Sequence, residues 1–379
     1  MATSLSQQAL ARLADAAIPV FPTESGRPGP HPPVDRGAPS PAEDWMQVRE
    51  HGLYCAPADA WIDPHEAVPS AIVTHGHADH ARAGHGAVWA TPATLDIMRT
   101  RYMAVEEGGT EHPLRYGERA DLGGGVTLWF APAGHILGSA QAVLEHDGTR
   151  VVVSGDFKRH PDPTCTPFEV VPCDVFVTEA TFALPVFEHP DLDHEIAKVM
   201  RSLEALPHRT HLIGAYALGK CQRVMMALRQ GGYADPFYLH GAQVRLVELY
   251  ERHGFDFGAW ERVSDTPPKE RDRFRGKIVL APPSALQDRW SRTLKDVLPT
   301  MASGWMQIRA RARQRRAEMA LIVSDHADWP DLIRTSLETG APDVWITHGR
   351  VEALQHELRK HGVRAKALNL VGREEEAGE

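Results

Sequence analysis

Four side chains able to bind a metal fall within six positions in His75-Gly76-His77-Ala78-Asp79-His80. On an α-helix, positions i, i+2, i+4 and i+5 would not share a face. In a tight loop, with only Gly76 and Ala78 between them, they can converge. Imidazole and carboxylate together suit zinc, manganese or iron. Donors in one loop fill two metal shells only with help from elsewhere. His135, after Pro132-Ala133-Gly134, and Asp156, after Ser154-Gly155, can give that help. Two neighbouring divalent cations would suit hydrolysis, because they activate water and neutralise charge building on the attacked group.

The elements around these residues support the grouping. Ala71–Thr74, Val126–Phe130, Val151–Val153 and Val175–Thr178 are short apolar runs that predict buried strands. His211–Ile213, Phe237–Leu239, Lys277–Leu280, Leu321–Val323 and Val344–Thr347 read the same way. Helical periodicity covers Asp193–Ala205, Gly219–Gln230, Gln243–His253 and Val351–His361. The chain is therefore α/β. Val73-Thr74 leads to His75, Ser154-Gly155 to Asp156, Val177-Thr178 to Glu179, Ser324-Asp325 to His326 and Ile346-Thr347 to His348. Strand ends gather on one rim of a sheet, where α/β proteins place their sites. His85, His112, His146, His160 and His240 have no such partner pattern and read as structural or surface residues.

The 379 residues are 42% hydrophobic, enough for a large core, and carry a formal net charge of −9. Any polyanion must therefore be gripped by a local patch. Arg309-Ala310-Arg311-Ala312-Arg313-Gln314-Arg315-Arg316 is the one dense basic run. The four cysteines form no Cys-x-x-Cys pair and suggest no disulfide framework. No stretch is long and apolar enough to span a membrane, and no signal peptide is visible, so a cytoplasmic enzyme is expected. Residues 1–42 are rich in Pro and Gly after a short helical pattern at Ala9–Ala17 and read as a disordered arm.

The series His75-x-His77-x-Asp79-His80, His135, Asp156 and His348 resembles the metal motifs of the metallo-β-lactamase fold. Asp63, in Trp61-Ile62-Asp63-Pro64, matches the first motif aspartate, which in relatives orients the metal loop from behind the ligands. Glu179 in Thr178-Glu179-Ala180, His326 in Ser324-Asp325-His326-Ala327-Asp328, and His348 in Thr347-His348-Gly349 resemble the three motifs of the β-CASP branch, which processes nucleic acids. The implied fold is an αββα sandwich with an inserted α/β cap. The expected division is the arm 1–42, a metallo-β-lactamase domain of 43–190 with 305–372, a β-CASP cap of 191–304, and an acidic tail 373–379. Ala217–Arg223, Ala302–Met306 and Ser324–Pro330 resemble, within that branch, bacterial ligase-associated DNA exonucleases, or mRNA 3′-end processing factor-like proteins.

The resemblance implies roles. One cation would take His75, His77, His135 and Asp156, and a second Asp79, His80, Asp156 and His348, with Asp156 bridging. The cations would be zinc, with manganese as the alternative. His326 would be the general acid, Glu179 would hold its ring, and Asp79 would complete the catalytic set. Lys220, at a helix start after Gly219, would grip a phosphate. Ser139 would line the pocket, and Arg309, Arg311 and Arg313 would track a backbone. Trp305 and Trp329 are more readily core aromatics than base-stacking platforms. The expected substrate is DNA, with an ATP-dependent DNA ligase, a helicase and a separate phosphoesterase as functional neighbours. The competing readings are a β-CASP ribonuclease, an inactive scaffold that recruits the ligase, and a small-molecule thioesterase. His348 at the third motif favours RNA; Arg350, departing from His-Gly-Glu, does not.

Overall fold

The computed structural model describes Ser40, residues 42–102 and 109–368, and Leu370. The helix expected at Ala9–Ala17 and the acidic tail lie outside these residues. Ser40 and Ala42, expected in the arm, are buried.

The first sheet runs in chain order through β1 (Met46–Arg49), β2 (Gly52–Cys55), β3 (Ala60–Ile62), β4 (Ser70–Ile72), β5 (Ala87–Ala90) and β6 (Thr110–Pro113), with α1 (Pro92–Tyr102) before the last. The second contains β7 (Arg119–Asp121), β8 (Thr127–Pro132), β9 (Ala140–His146), β10 (Thr149–Val153) and β11 (Val175–Ala180). The chain then builds a third sheet from β12 (Thr210–Gly214), β13 (Phe237–Leu239), β14 (Trp260–Arg262), β15 (Ile278–Ala281), β16 (Val297–Ala302) and β17 (Met319–Leu321). Its helices are α2 (Leu192–Ala205), α3 (Lys220–Gln230), α4 (Gly241–Arg252) and the short α5 (Arg309–Gln314). After α6 (Trp329–Glu338) the chain rejoins the second sheet through β18 (Asp343–Gly349), α7 (Val351–Lys360) and β19 (Arg364–Ala367). β18 pairs in parallel with β11.

Strand alternation sets the layers. In β10, Val151 and Val153 face a core shared with Leu53, Ile62 and Ile72 of the first sheet. Val152 points the other way, toward Leu332 of α6 and Leu354 and Leu358 of α7. The period-2 pattern thus makes the second sheet a buried middle layer. The first sheet's outer face packs on Leu95 and Met98 of α1. These layers are the αββα sandwich. The third sheet has its own cores on both faces, one against α2, α3 and α4. It extends through β17, past residue 304 where the sequence places the boundary.

Two expected post-strand residues lie inside strands instead. Glu179 belongs to β11 and His348 to β18. Thr178 pairs with Ile346 but Ala180 with Gly349, so Thr347 and His348 together stand opposite Glu179. This β-bulge aims side chains that a regular pleat would separate. Gly349 makes the bulge possible: its φ is +95°, and a Cβ there would sit 2.1 Å from the Ala180 carbonyl oxygen. Gly349→Ala should cost at least about 1–3 kcal/mol of stability, read as a lower urea midpoint; an unchanged midpoint would show that the bulge relaxes freely.

Candidate metal centre

The chain leaves β3 through Asp63, whose φ is +44°. Its carboxylate accepts the Thr74 N–H and the Thr74 hydroxyl, each at 2.7 Å, and faces His80 Nδ1 at 2.7 Å. With its proton donated to Asp63, the Thr74 hydroxyl can only accept from His75 Nδ1, at 3.1 Å. Thr347 repeats the device, donating to the Thr178 carbonyl and facing His348 Nδ1 at 2.9 Å. His135 Nδ1 donates to the Asp325 carbonyl at 2.8 Å. In the neutral form of all four histidines, Nδ1 carries the proton and Nε2 keeps the lone pair.

Those lone pairs converge. His75 Nε2, His80 Nε2 and His135 Nε2 lie 3.4, 3.5 and 3.8 Å from Asp156 Oδ2, and His348 Nε2 lies 3.5 Å from Oδ1. Asp79 Oδ2 is 3.4 Å from His80 Nε2. His77 Nδ1 lies 2.9 Å from His135 Nε2, and His77 Nε2 lies 3.4 Å from the Leu218 carbonyl. His75 Nε2 and Asp156 Oδ1 are buried without a hydrogen-bond partner. Donors of His75, His77, His135 and Asp156 lie within 4.8 Å of one another, as do those of Asp156, Glu179 and His348. This set fits a divalent metal.

Protonation agrees. Burial first, then the neighbouring His75, lowers His77 to about 3. Burial and adjoining rings likewise lower His75 and His135. Burial opposes ionisation of Asp79 and Asp156, but positive charge beside them, at His80 when its ring is protonated, draws both below the usual carboxylate range, and a bound cation would put its charge in the same place. Neutral imidazoles and ionised carboxylates are the forms that bind metal.

His326 stands beside this group. Its Nδ1 faces Glu179 Oε2 at 3.0 Å and Asp156 Oδ2 at 4.0 Å. Glu179 is fixed in turn by the Phe157 N–H at 2.9 Å. His77, Asp79, Lys220 and His326 open on a cleft of about 540 Å³ with Arg101, Tyr216, Trp305 and Arg315.

Other expected residues are placed differently. Ser139 does not line the cleft: it is 1% exposed, and its Oγ accepts the N–H groups of His135 and Ile136. It shapes the His135 loop. Lys220 lines the cleft, but its Nζ is 3.2 Å from Asp325 Oδ2. Arg309, Arg311 and Arg313 share the surface helix α5, with the Arg311 guanidinium 4.0 Å over the Trp305 ring. Trp329 is partly buried and packs against the core behind the second sheet. Sequence reasoning gave no role to Thr74, Thr347, Asp325 or Arg101. The Thr-His pairs at Thr74-His75 and Thr347-His348 were a usable signal.

No family model matches the chain. It is 29% identical to a probable DNA ligase of Opitutus terrae over 86% of its own length and 31% of that protein's. It is 30% identical to a ribonuclease of Thermus thermophilus over half of each chain, and 26% identical to an RNase J-like protein of Methanocaldococcus jannaschii over 49% of its length and 50% of that chain's. The chain thus spans about a third to a half of the curated relatives it matches. A solved structure of a protein of unknown function from Enterococcus faecalis superposes with a TM-score of 0.51 at 11% identity, covering 82% of this chain and 80% of that one, and shows the fold alone. Site, sheets and relatives together place this chain in the metallo-β-lactamase fold. Within that fold the relatives it resembles are of the β-CASP type.

Asp63→Ala should leave every donor in place yet weaken zinc binding about 10–100-fold, because Thr74 and His80 lose their anchor. Competition against a chelator measures this, and wild-type affinity would remove Asp63 from the site.

Proposed function

We propose that this chain is a metal-dependent nuclease that hydrolyses DNA phosphodiester bonds from an end, in repair alongside an ATP-dependent DNA ligase. The observation that carries the hydrolase reading is His326 on Glu179, 4.0 Å from Asp156 Oδ2, at the edge of a histidine–aspartate centre and an open cleft. In this reading His75, His77, His135 and Asp156 hold one divalent cation, and Asp79, His80, Asp156 and His348 hold a second. Zinc or manganese there would supply Lewis acidity at phosphorus and activate water.

The chain's own residues do the rest. Glu179 holds the His326 ring by Nδ1, so Nε2 is the nitrogen that can pass a proton to the departing sugar oxygen. Lys220, Arg101 and Arg315 give the cleft cations for phosphate in a chain of net charge −9. Arg309, Arg311 and Arg313 extend that charge along α5. The DNA preference and the ligase neighbour rest on the Opitutus relative, where a region similar to 86% of this chain lies within a protein called a DNA ligase. No helix among the described residues is long and apolar enough to cross a membrane.

A ribonuclease is the second reading. It is favoured by the Thermus and Methanocaldococcus relatives and by His348 in Thr347-His348-Gly349. End-labelled single-stranded DNA, duplex DNA and RNA, each with Mn²⁺ or Zn²⁺, separate the two. Cleavage of RNA alone would discard the DNA reading, and cleavage of none would discard both.

Two variants test the roles. His326→Ala should retain metal and lose about 10²–10⁴-fold in turnover; near-wild-type turnover would assign the acid elsewhere. Reversing the charge of Arg309, Arg311 and Arg313 together should weaken binding at low salt and flatten the salt dependence, by about 0.7–0.9 in log–log slope for each phosphate no longer neutralised. An unchanged slope would make α5 an ordinary solvated face.

A further inference from the structure

Beside the metal centre lies a buried group of five charges, of which the proposed chemistry uses only Lys220. Lys158, Asp162, Lys220, Arg223 and Asp325 are each between 3 and 6% exposed. Arg223 Nε is 3.1 Å from Asp162 Oδ2, and Lys158 Nζ is 3.8 Å from the same oxygen. The Asp325 carboxylate takes Lys220 Nζ on Oδ2 at 3.2 Å and Arg223 Nη1 on Oδ1 at 3.3 Å. Arg223 Nη1 also donates to the Ser324 carbonyl. Burying five charges is costly, and replacing such groups by apolar residues often stabilises a fold, so packing alone does not account for them.

The connections give another account. Lys220 and Arg223 stand on the first turn of α3, beside the third sheet. Asp325 is on the loop between β17 and α6. Its carbonyl is the acceptor that holds His135 Nδ1, and the next residue is His326. The Ser324 hydroxyl accepts the His326 N–H at 3.1 Å. A shift of this loop would therefore turn the His135 ring and displace His326 together.

We propose that Asp325 is a positioning residue, clamped by Lys220 and Arg223, through which α3 sets the orientation of His135 and His326. The proposal rests on the reading of His135 as a metal ligand. Lys220 then acts first on the protein itself, and its contact with substrate is secondary.

The test measures metal binding without nucleic acid. Metal-free full-length protein is titrated with Co²⁺, affinity is taken from chelator competition, and the visible absorption spectrum is recorded for Lys220→Gln, Asp325→Asn, the double variant and Lys220→Arg. Electric field alone predicts opposite signs: loss of a nearby cation tightens Co²⁺ binding and loss of a carboxylate weakens it. Positioning predicts the same sign. Both single variants should bind about tenfold more weakly with a shifted spectrum, and the double variant should be no worse than Asp325→Asn. Lys220→Arg should restore wild-type behaviour.

Binding by Lys220→Gln as tight as wild type or tighter, with an unchanged spectrum, overturns the proposal, including where its KM for nucleic acid rises. Should Asp325→Asn not fold, the Lys220→Gln and Lys220→Arg pair still decides. Wild-type Co²⁺ binding that survives His75→Ala would instead overturn the metal centre, and this proposal with it. A failure of nuclease activity alone touches neither measurement.

Discussion

The structure turns on the direction in which its histidines point their lone pairs. Asp63, Thr74, Thr347 and the Asp325 carbonyl each engage an Nδ1, so His75, His80, His135 and His348 aim Nε2 at Asp156. An imidazole without such a partner can exchange tautomers and rotate; with one, it is a fixed ligand. The cost is a crowd of acceptor atoms in a buried space, with His75 Nε2 and Asp156 Oδ1 left without a hydrogen-bond partner. A cation removes that cost. Several other features serve this arrangement, including the left-handed Asp63, the bulge opposite Glu179 and the Ser139 hydroxyl under the His135 loop.

How much of this was legible in the sequence differs residue by residue. The His75–His80 cluster, His135 and Asp156 were legible because their spacing is local and they follow apolar runs. Those runs became β4, β8 and β10, since alternation or full burial leaves a plain pattern. The edge strands β6, β7, β14 and β19 were missed. They are short and partly exposed, so no apolar run marks them. His348 was found by type but its setting was not: a bulge depends on register between two strands whose pairing residues lie about 170 positions apart. Ser139 was misplaced because a hydroxyl near a ligand in sequence gives no direction. Its Oγ turned inward to two backbone N–H groups that had no other acceptor.

Lys220 shows the same limit in a sharper form. A lysine after glycine at a helix start reads as a phosphate site. Its partner Asp325 is 105 residues away, and nothing in either neighbourhood announces the pairing. Only the path of the chain, from β17 of the third sheet into α6, brings them together. That path also delivers His326, so the candidate acid depends on the insert although it acts on the sandwich's rim. In this fold the insert is part of the centre, because the loop it feeds carries both the His135 acceptor and the ring held by Glu179.

Net charge limits where a polyanion can approach. A chain of net −9 repels a polyanion at long range, so attraction has to come from a small region. The cleft offers Arg101, Lys220 and Arg315 along one continuous surface, and α5 adds Arg309, Arg311 and Arg313 nearby in sequence. Salt screens surface charges beyond about 10 Å at 0.1 M, so only a strand already close to this region feels it. In the nuclease reading proposed above, such a surface would favour ends and unpaired strands that can enter the cleft over long duplex lying across the face. The Arg311 guanidinium lies 4.0 Å over the ring of Trp305, which lines the cleft, so a cation and an aromatic plane stand together beside it.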